Sequence, residues 1–415
     1  MIQPDRTYSA IRFRLREVLR QMWVRVTLFS AAGVALALIT PTLEPLIPYE
    51  PSFELASGAV DEILQIIASS MLAVTTFSMS IIVGAYGGTT SNATPRANEL
   101  LQRDPAAQNA ISIFIGSFLF SIVGIIGLHA GVYRDSGRLL LFFATLIVIM
   151  MIAWALLRWL DHLNEFGLVK DVVTRIEEVA TKSALAARAE PRLGARPLPS
   201  PLPADAPGLG SRENGYVRHL DIAALQDAAE QGDLILEVMR PVGRYVHQAE
   251  PLLRLSRLPE PALANALYSA FSIGPSRSYE QDVEYGLTVL SEVATRALPP
   301  EHSDPGTAID VLRAGTRVLL ALHGPDENGA PPAPAEARHD RVYAPGIDLK
   351  KLYKVLFVPI ARHGAGVIEV QETLFDSLEA LAERGGAEAA QIMGADARSR
   401  ARAELTEDWE RAEIG

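Results

Sequence analysis

The chain contains no cysteine. That excludes a disulfide framework, a thiolate metal site and a cysteine nucleophile. Lysine is absent from the first 160 residues, where 11 arginines face 10 acidic residues for a net charge of +1. Three long apolar runs, at about 63–86, 111–130 and 139–160, hold no Asp, Glu, Lys or Arg before Arg158. Proton- and cation-coupled carriers generally place an Asp, Glu or His chain inside the membrane, so coupled transport is disfavoured. Also missing are a Gly-x-Ser-x-Gly elbow, a His-Glu-x-x-His pair and a phosphate loop with its lysine. The segment GLGSRENG at 208–215 has the wrong spacing for a dinucleotide fingerprint. These gaps point away from an enzyme, and no cofactor and no metal are expected.

What is present is hydrophobic length. Mean hydropathy is +0.15 with only 21% charged residues. With a further run at 22–40 there are four apolar stretches, each near the ~20 residues that a helix needs to cross a ~30 Å hydrocarbon core. Ala35-Leu36-Ala37 mimics a signal-peptide cleavage site, but the long basic flank and Arg25 favour a retained span. Arg6, Arg12, Arg14, Arg16, Arg20 and Arg25 come before or at the start of that span. The loop 41–62 has no Lys or Arg, whereas 87–110 carries Arg96 and Arg103. Arg134 and Arg138 in the short loop 131–138 run mildly against the pattern. The positive-inside rule then places both termini in the cytoplasm.

Residues 161–415 hold 27 basic and 39 acidic side chains, a net of −12. An acidic surface repels phosphate backbones, so nucleic acid is not an expected partner. The chain divides into a basic amphipathic segment (1–21), a four-helix transmembrane domain (22–164) and a helix continuing the last span (165–189). A Pro/Gly-rich linker (190–213) follows, expected to lack regular structure. Then come a small β-rich module (214–258) and a mainly helical domain (259–415), broken by a loop at about 324–347. Within the module, 215–221 and 234–240 read as strands around a helix at 222–230, and 241–255 reads as turn, strand, turn, strand.

Several clusters have both a chemical and a structural reading. In the second span Ser69, Ser70, Thr75, Thr76, Ser78 and Ser80 are crowded together, and Thr76, Ser80, Gly84 and Gly88 form one i, i+4 stripe. Such a stripe either lines a pore, with Ser69, Thr76, Ser80 and Gly84 facing water, or forms a close helix-packing seam. The third span has a weaker version in Gly116, Ser117, Ser121 and Gly124. Thr94-Pro95 reads as a helix start, with Arg96 pairing Glu99 or Asp104 or reaching a lipid phosphate. Ser278 and Gln281 fit a capping box, and Asp304 caps a second helix at Pro305. Arg277, Gln281, Asp282, Asp304 and Thr307 would together form an anion site at two helix starts; alternatively Arg277 pairs with Asp282 or Asp304. His219, Asp221 and His247 lack metal-ligand spacing.

TPRANELLQRDPAAQ at 94–108, GPSRSYEQDVEYG at 274–286 and RALPPEHSDPGTA at 296–308 are the distinctive blocks. With them the chain resembles domain-of-unknown-function family 2254, bacterial predicted membrane proteins, over nearly its whole length. The resemblance implies no activity. It departs at Ser278, where the family usually has Thr, at Ala249, where it usually has Gly, and across Pro299–Pro305, where it usually has an Asn-Asp pair.

The expected fold is therefore a mainly α membrane protein: four transmembrane helices plus a cytoplasmic α+β domain with a small β module and a helical C-terminal part. The expected function is a homo-oligomeric inner-membrane channel or pore-like protein passing an ion or small solute, in contact with the lipid bilayer and further copies of itself. The alternative is a membrane-anchored sensor or scaffold whose cytoplasmic domain binds a ligand or partner.

Overall fold

The structure, a computed structural model, describes residues 21–40, 57–133, 135–301, 303–324 and 337–414. The basic segment 1–21 lies outside the described residues except for Gln21, as do residues 325–336 of the loop 324–347. The described chain forms two compact units, one of residues 21–91 and 98–171, the other of residues 92–97 and 172–414.

The first unit holds α1 (Met22–Ile39), α2 (Ser57–Asn92), α3 (Asn98–Gln102), α4 (Pro105–His129) and α5 (Asp135–Leu163). Four of these are long and apolar enough to cross a membrane, so this is a multi-pass membrane protein. With 36 residues, α2 rises about 54 Å and overreaches the hydrocarbon core. Asp104 caps α4, its Oδ1 accepting from the Ala107 amide at 2.7 Å, with Pro105 at the first helical position. Close packing involves α1 and α4. A Cβ on Gly33 would lie 2.5 Å from the Gly116 carbonyl oxygen, and one on Gly116 would lie 2.9 Å from that of Phe29. Two glycines thus let the backbones approach as small-residue membrane seams do. Buried Ser78 accepts from the Trp159 indole at 3.0 Å and ties α2 to α5.

The expected continuous helix through span four is interrupted. It ends at Leu163, turns through Gly167 at φ +79°, and restarts as α6 (Val169–Ala189). A Cβ at Gly167 would also lie 2.8 Å from that of Ala85, so the turn needs glycine on both counts.

The second unit contains two sheets. Strands β1 (Ala195–Pro197), β2 (Gly208–Gly210), β4 (Leu236–Val238), β6 (Pro251–Leu255) and β8 (His339–Ala344) form one in the order β1-β8-β4-β6-β2. Strands β3 (Gly215–Leu220), β5 (Tyr245–Val246) and β7 (Phe271–Gly274) form the other, antiparallel, in the order β5-β3-β7. Between them run α7 (Ile222–Gly232) and α8 (Pro261–Ser269). Leu225, Leu236, Val246, Leu253 and Leu255 are fully buried in the shared core. The strand-helix-strand reading of 215–240 holds. The linker reading of 190–213 is corrected: β1 and β2 lie inside it, β1 pairing β8 in parallel and β2 pairing β6 antiparallel. Pro197 is tolerated because β1 is short and lies at the sheet edge. The loop reading of 324–347 is corrected likewise, since β8 is a central strand. The β region therefore draws on 195–210, 271–274 and 339–344 as well as 214–258.

Helices α9 (Val283–Ala297), α10 (Pro305–His323), α11 (Leu349–His363), α12 (Ile368–Leu381), α13 (Ala387–Glu404) and α14 (Asp408–Glu413) complete the unit. Ala249, the position noted as usually glycine, sits at φ +69°, where a Cβ is strained. Ala249→Gly is expected to raise the unfolding midpoint of this unit, by about 1 kcal/mol of stability. An unchanged or lowered midpoint would contradict the strain.

Candidate functional site

The site grows from the start of α9. Asp282 is the N-cap, accepting from the Tyr285 amide at 3.0 Å. The same carboxylate, 3% exposed, receives two hydrogen bonds of 2.8 Å from Arg277, whose side chain is 15% exposed. The guanidinium also lies 5.2 Å from the Tyr285 ring centroid and 3.5 Å from Glu284. Burial alone would lower the Arg277 pKa, but the bonds and charge of Asp282, with Glu284, raise it above its usual value. Gly243, at φ +85°, packs where a Cβ would strike both members of the pair. The capping-box reading is corrected here. Gln281 does not fold back to Ser278; its amide bonds both the N–H and the C=O of Leu220, at 2.9 and 3.3 Å. That knits the loop to β3.

Asp304 does cap α10, accepting from Thr307 N at 3.1 Å and Thr307 Oγ1 at 2.7 Å. Its own amide, however, donates to Ala297 at the far end of α9. Asp304 and Thr307 are thus one helix length, about 22 Å, from Arg277, Gln281 and Asp282. The expected site at two helix starts is not assembled, and Arg277 takes its alternative role as partner of Asp282.

Beside this pair opens a cleft of about 820 Å³, within the range of small-molecule sites. Gln281, Asp282 and Glu284 form one side. The β5 turn supplies Val242, Arg244 and Tyr245, the end of α6 and its turn supply Glu190 and Arg192, and Ile347, Lys351 and Leu352 close the rim. The spacing of residues gave no signal for Arg192, Arg244 or Lys351. Arg192 lay in a segment whose prolines read as unstructured, and the cleft joins residues 160 positions apart.

The segment after α2 also reaches this unit. Thr94 Oγ1 donates to Glu292 on α9 at 2.9 Å, Arg96 pairs with the same carboxylate, and the Tyr279 hydroxyl donates to the Arg96 carbonyl at 3.3 Å. The expected partners of Arg96 are otherwise engaged: Glu99 pairs with Arg103 at 2.9 Å and Asp104 caps α4. Pro95–Ala97 forms a 3-10 turn, so Thr94 precedes a turn rather than an α-helix. Tyr279 stacks on Tyr285 with centroids 4.6 Å apart, joining this segment to the Arg277 surroundings. Two of the distinctive sequence blocks meet here.

In α2, Ser69, Thr76, Ser80 and Gly84 are exposed on the unit's outer face. Their hydroxyls bond the helix's own carbonyls, Ser69 to Gln65 at 2.9 Å, Thr76 to Leu72 at 2.9 Å and Ser80 to Thr76 at 3.0 Å. A Cβ on Gly84 or Gly88 would meet nothing within 4 Å. Among the described residues no group of three or more His, Asp or Glu side chains is arranged to hold a metal. Asp221 is accounted for as the cap of α7, accepting from Ala224 at 3.0 Å.

Comparison with known proteins agrees with the architecture. Uncharacterized proteins of Mycobacterium bovis and Mycobacterium tuberculosis are 24% identical over 354 residues, covering 77% of this chain and 65% of each relative. The chain thus spans somewhat less than two thirds of the length of these relatives. No solved structure matches. A family described as predicted membrane proteins matches residues 20–380. With four apolar helices and that match over most of its length, the chain belongs to the DUF2254 family of predicted membrane proteins.

Proposed function

We propose that the protein is a membrane-anchored sensor whose C-terminal unit binds a small molecule in the cleft beside Arg277–Asp282. The cleft itself is the observation that carries this reading: it has the volume of a ligand site and mixes an apolar wall with convergent charged groups. The role proposed for the cleft is binding. The contacts of Thr94 and Arg96 with Glu292 connect the cleft's α9 wall to the segment that follows α2. Occupancy of the cleft would bias that docking. The test is a small-molecule thermal-shift screen on the full chain in detergent, repeated with Ala187→Trp, which projects an indole from the wall of the cleft. Ligand-induced shifts that survive this substitution would refute the reading.

Glu292→Ala is expected to free the 94–97 segment and speed tryptic cleavage after Arg96 several-fold. Equal cleavage rates would sever the proposed link. The proposed location is the bacterial inner membrane with both termini cytoplasmic, following the arginine distribution. A membrane-impermeant maleimide on intact spheroplasts should label Val132→Cys and spare Gln248→Cys in this cysteine-free chain. The reverse pattern would invert the topology.

A second reading, a homo-oligomeric channel, is favoured by the outward stripe of Ser69, Thr76, Ser80 and Gly84. Four spans enclose little space, so a symmetric ring would be required. Unitary currents in planar bilayers that change with Thr76→Leu and Ser80→Leu would support it; a silent bilayer with verified oligomer would dismiss it.

A further inference from the structure

We propose that the cleft takes an organic anion, a phosphate or carboxylate group carried on a small apolar body, with Arg192 and Arg244 as the residues that grip it. This rests on the cleft reading above. Charged side chains line much of the cavity. Its acids are already engaged. Glu190 pairs with Arg338 at 2.8 Å, and Glu284 with Lys351 at 2.6 Å. Asp282 holds Arg277, and Asp348 caps α11 by accepting from the Lys351 amide at 3.1 Å. Glu250 accepts from the His247 amide at 3.1 Å and lies 3.8 Å from Arg240.

The remaining cationic lining is Arg192 and Arg244. Among the described residues neither has an acidic partner within salt-bridge distance. Two guanidiniums without an acidic partner of their own therefore face one cavity, and each offers a planar fork suited to phosphate or carboxylate.

The placement of Arg192 is costly. Arg192 and Leu193 both adopt left-handed backbone, at φ 57° and 54°, which side chains with a Cβ rarely do. The turn lays the guanidinium along Gly346, another lining residue, with Nε 3.6 Å from where a Cβ would stand. It also brings Leu193 to the cavity wall, where Val242, Ile347 and Leu352 add apolar surface. An anion with an apolar body matches both parts of this lining.

The test uses the full chain in detergent and three probes: phenyl phosphate, inorganic phosphate and phenyltrimethylammonium. Phenyl phosphate is expected to bind best, inorganic phosphate less tightly, and the cation not at all. Arg244→Ala, on an exposed side chain, should weaken phenyl phosphate at least about tenfold without moving the ligand-free midpoint, the value of one lost charge-assisted bond. Arg192→Ala should do the same, and Arg192→Lys should restore part of the affinity if the alanine variant proves unstable. Ala187→Trp should abolish binding. If the cation binds in the cleft, or if binding is lost in Ala187→Trp but indifferent to both arginines, the anion inference falls and the cleft reading stands. If no probe binds, or binding survives Ala187→Trp, both fall.

Discussion

Replacing Arg277 by alanine is expected to destabilise the C-terminal unit by roughly 3–5 kcal/mol, the cost of leaving a buried carboxylate without its counter-charge. Asp282 is 3% exposed, so water cannot replace the lost guanidinium. Its capping bond to Tyr285 remains, but one amide does not offset the desolvation of a full charge. A unit of ordinary stability, about 5–15 kcal/mol, would lose a large share of its margin. The double variant Arg277→Ala with Asp282→Asn should recover part of the loss, because asparagine caps a helix nearly as well and carries no charge. Chemical denaturation followed by near-ultraviolet circular dichroism of the full chain would measure both. An Arg277→Ala midpoint equal to wild type would show that the pair is not structural, and would return Arg277 to the list of ligand-binding candidates.

Gly116→Leu is expected to prevent close assembly of the membrane unit, while Gly84→Leu is expected to leave the single chain's fold intact. A Cβ at residue 116 stands 2.9 Å from a main-chain oxygen of α1, and main chain cannot rotate away as a side chain can. Overpacking of this kind costs typically 1–3 kcal/mol, and a full leucine belongs at the upper end. At residue 84 a Cβ meets nothing within 4 Å. Resistance to unfolding by a harsh detergent separates the two cases. If both variants resist as well as wild type, the α1–α4 seam is not what holds the unit. If Gly84→Leu alone fails, the outward stripe of α2 is the essential contact surface.

These comparisons show how far the residues could be read in order. The four spans were legible because a bilayer imposes length and apolarity on each helix separately, with no reference to its neighbours. The alternation in 215–220 and the run at 251–255 likewise announced strands locally, and both are strands. Asp304 was identified as a cap because capping involves only residues within one turn. Gln281 was misread for the same reason: the capping-box pattern is local, but its amide found a better partner 61 positions away on Leu220.

The sequence by itself determined what depends on neighbours along the chain: the number of spans, the arginine asymmetry, half of the strands and the Asp304 cap. Tertiary structure alone decided which glycine stripe packs, since Gly33–Gly116 and Thr76–Gly84 are equally small and only the opposing backbone distinguishes them. It alone placed the proline-rich 195–210 at sheet edges, through partners at 251–254 and 339–344. It alone separated Asp304 from Arg277 by the length of α9 while setting Arg192, Arg244 and Lys351 around one cleft. The physical reason is common to all three: burial and hydrogen-bond satisfaction are met by whichever distant groups the fold delivers, and no spacing in a linear chain encodes which those are.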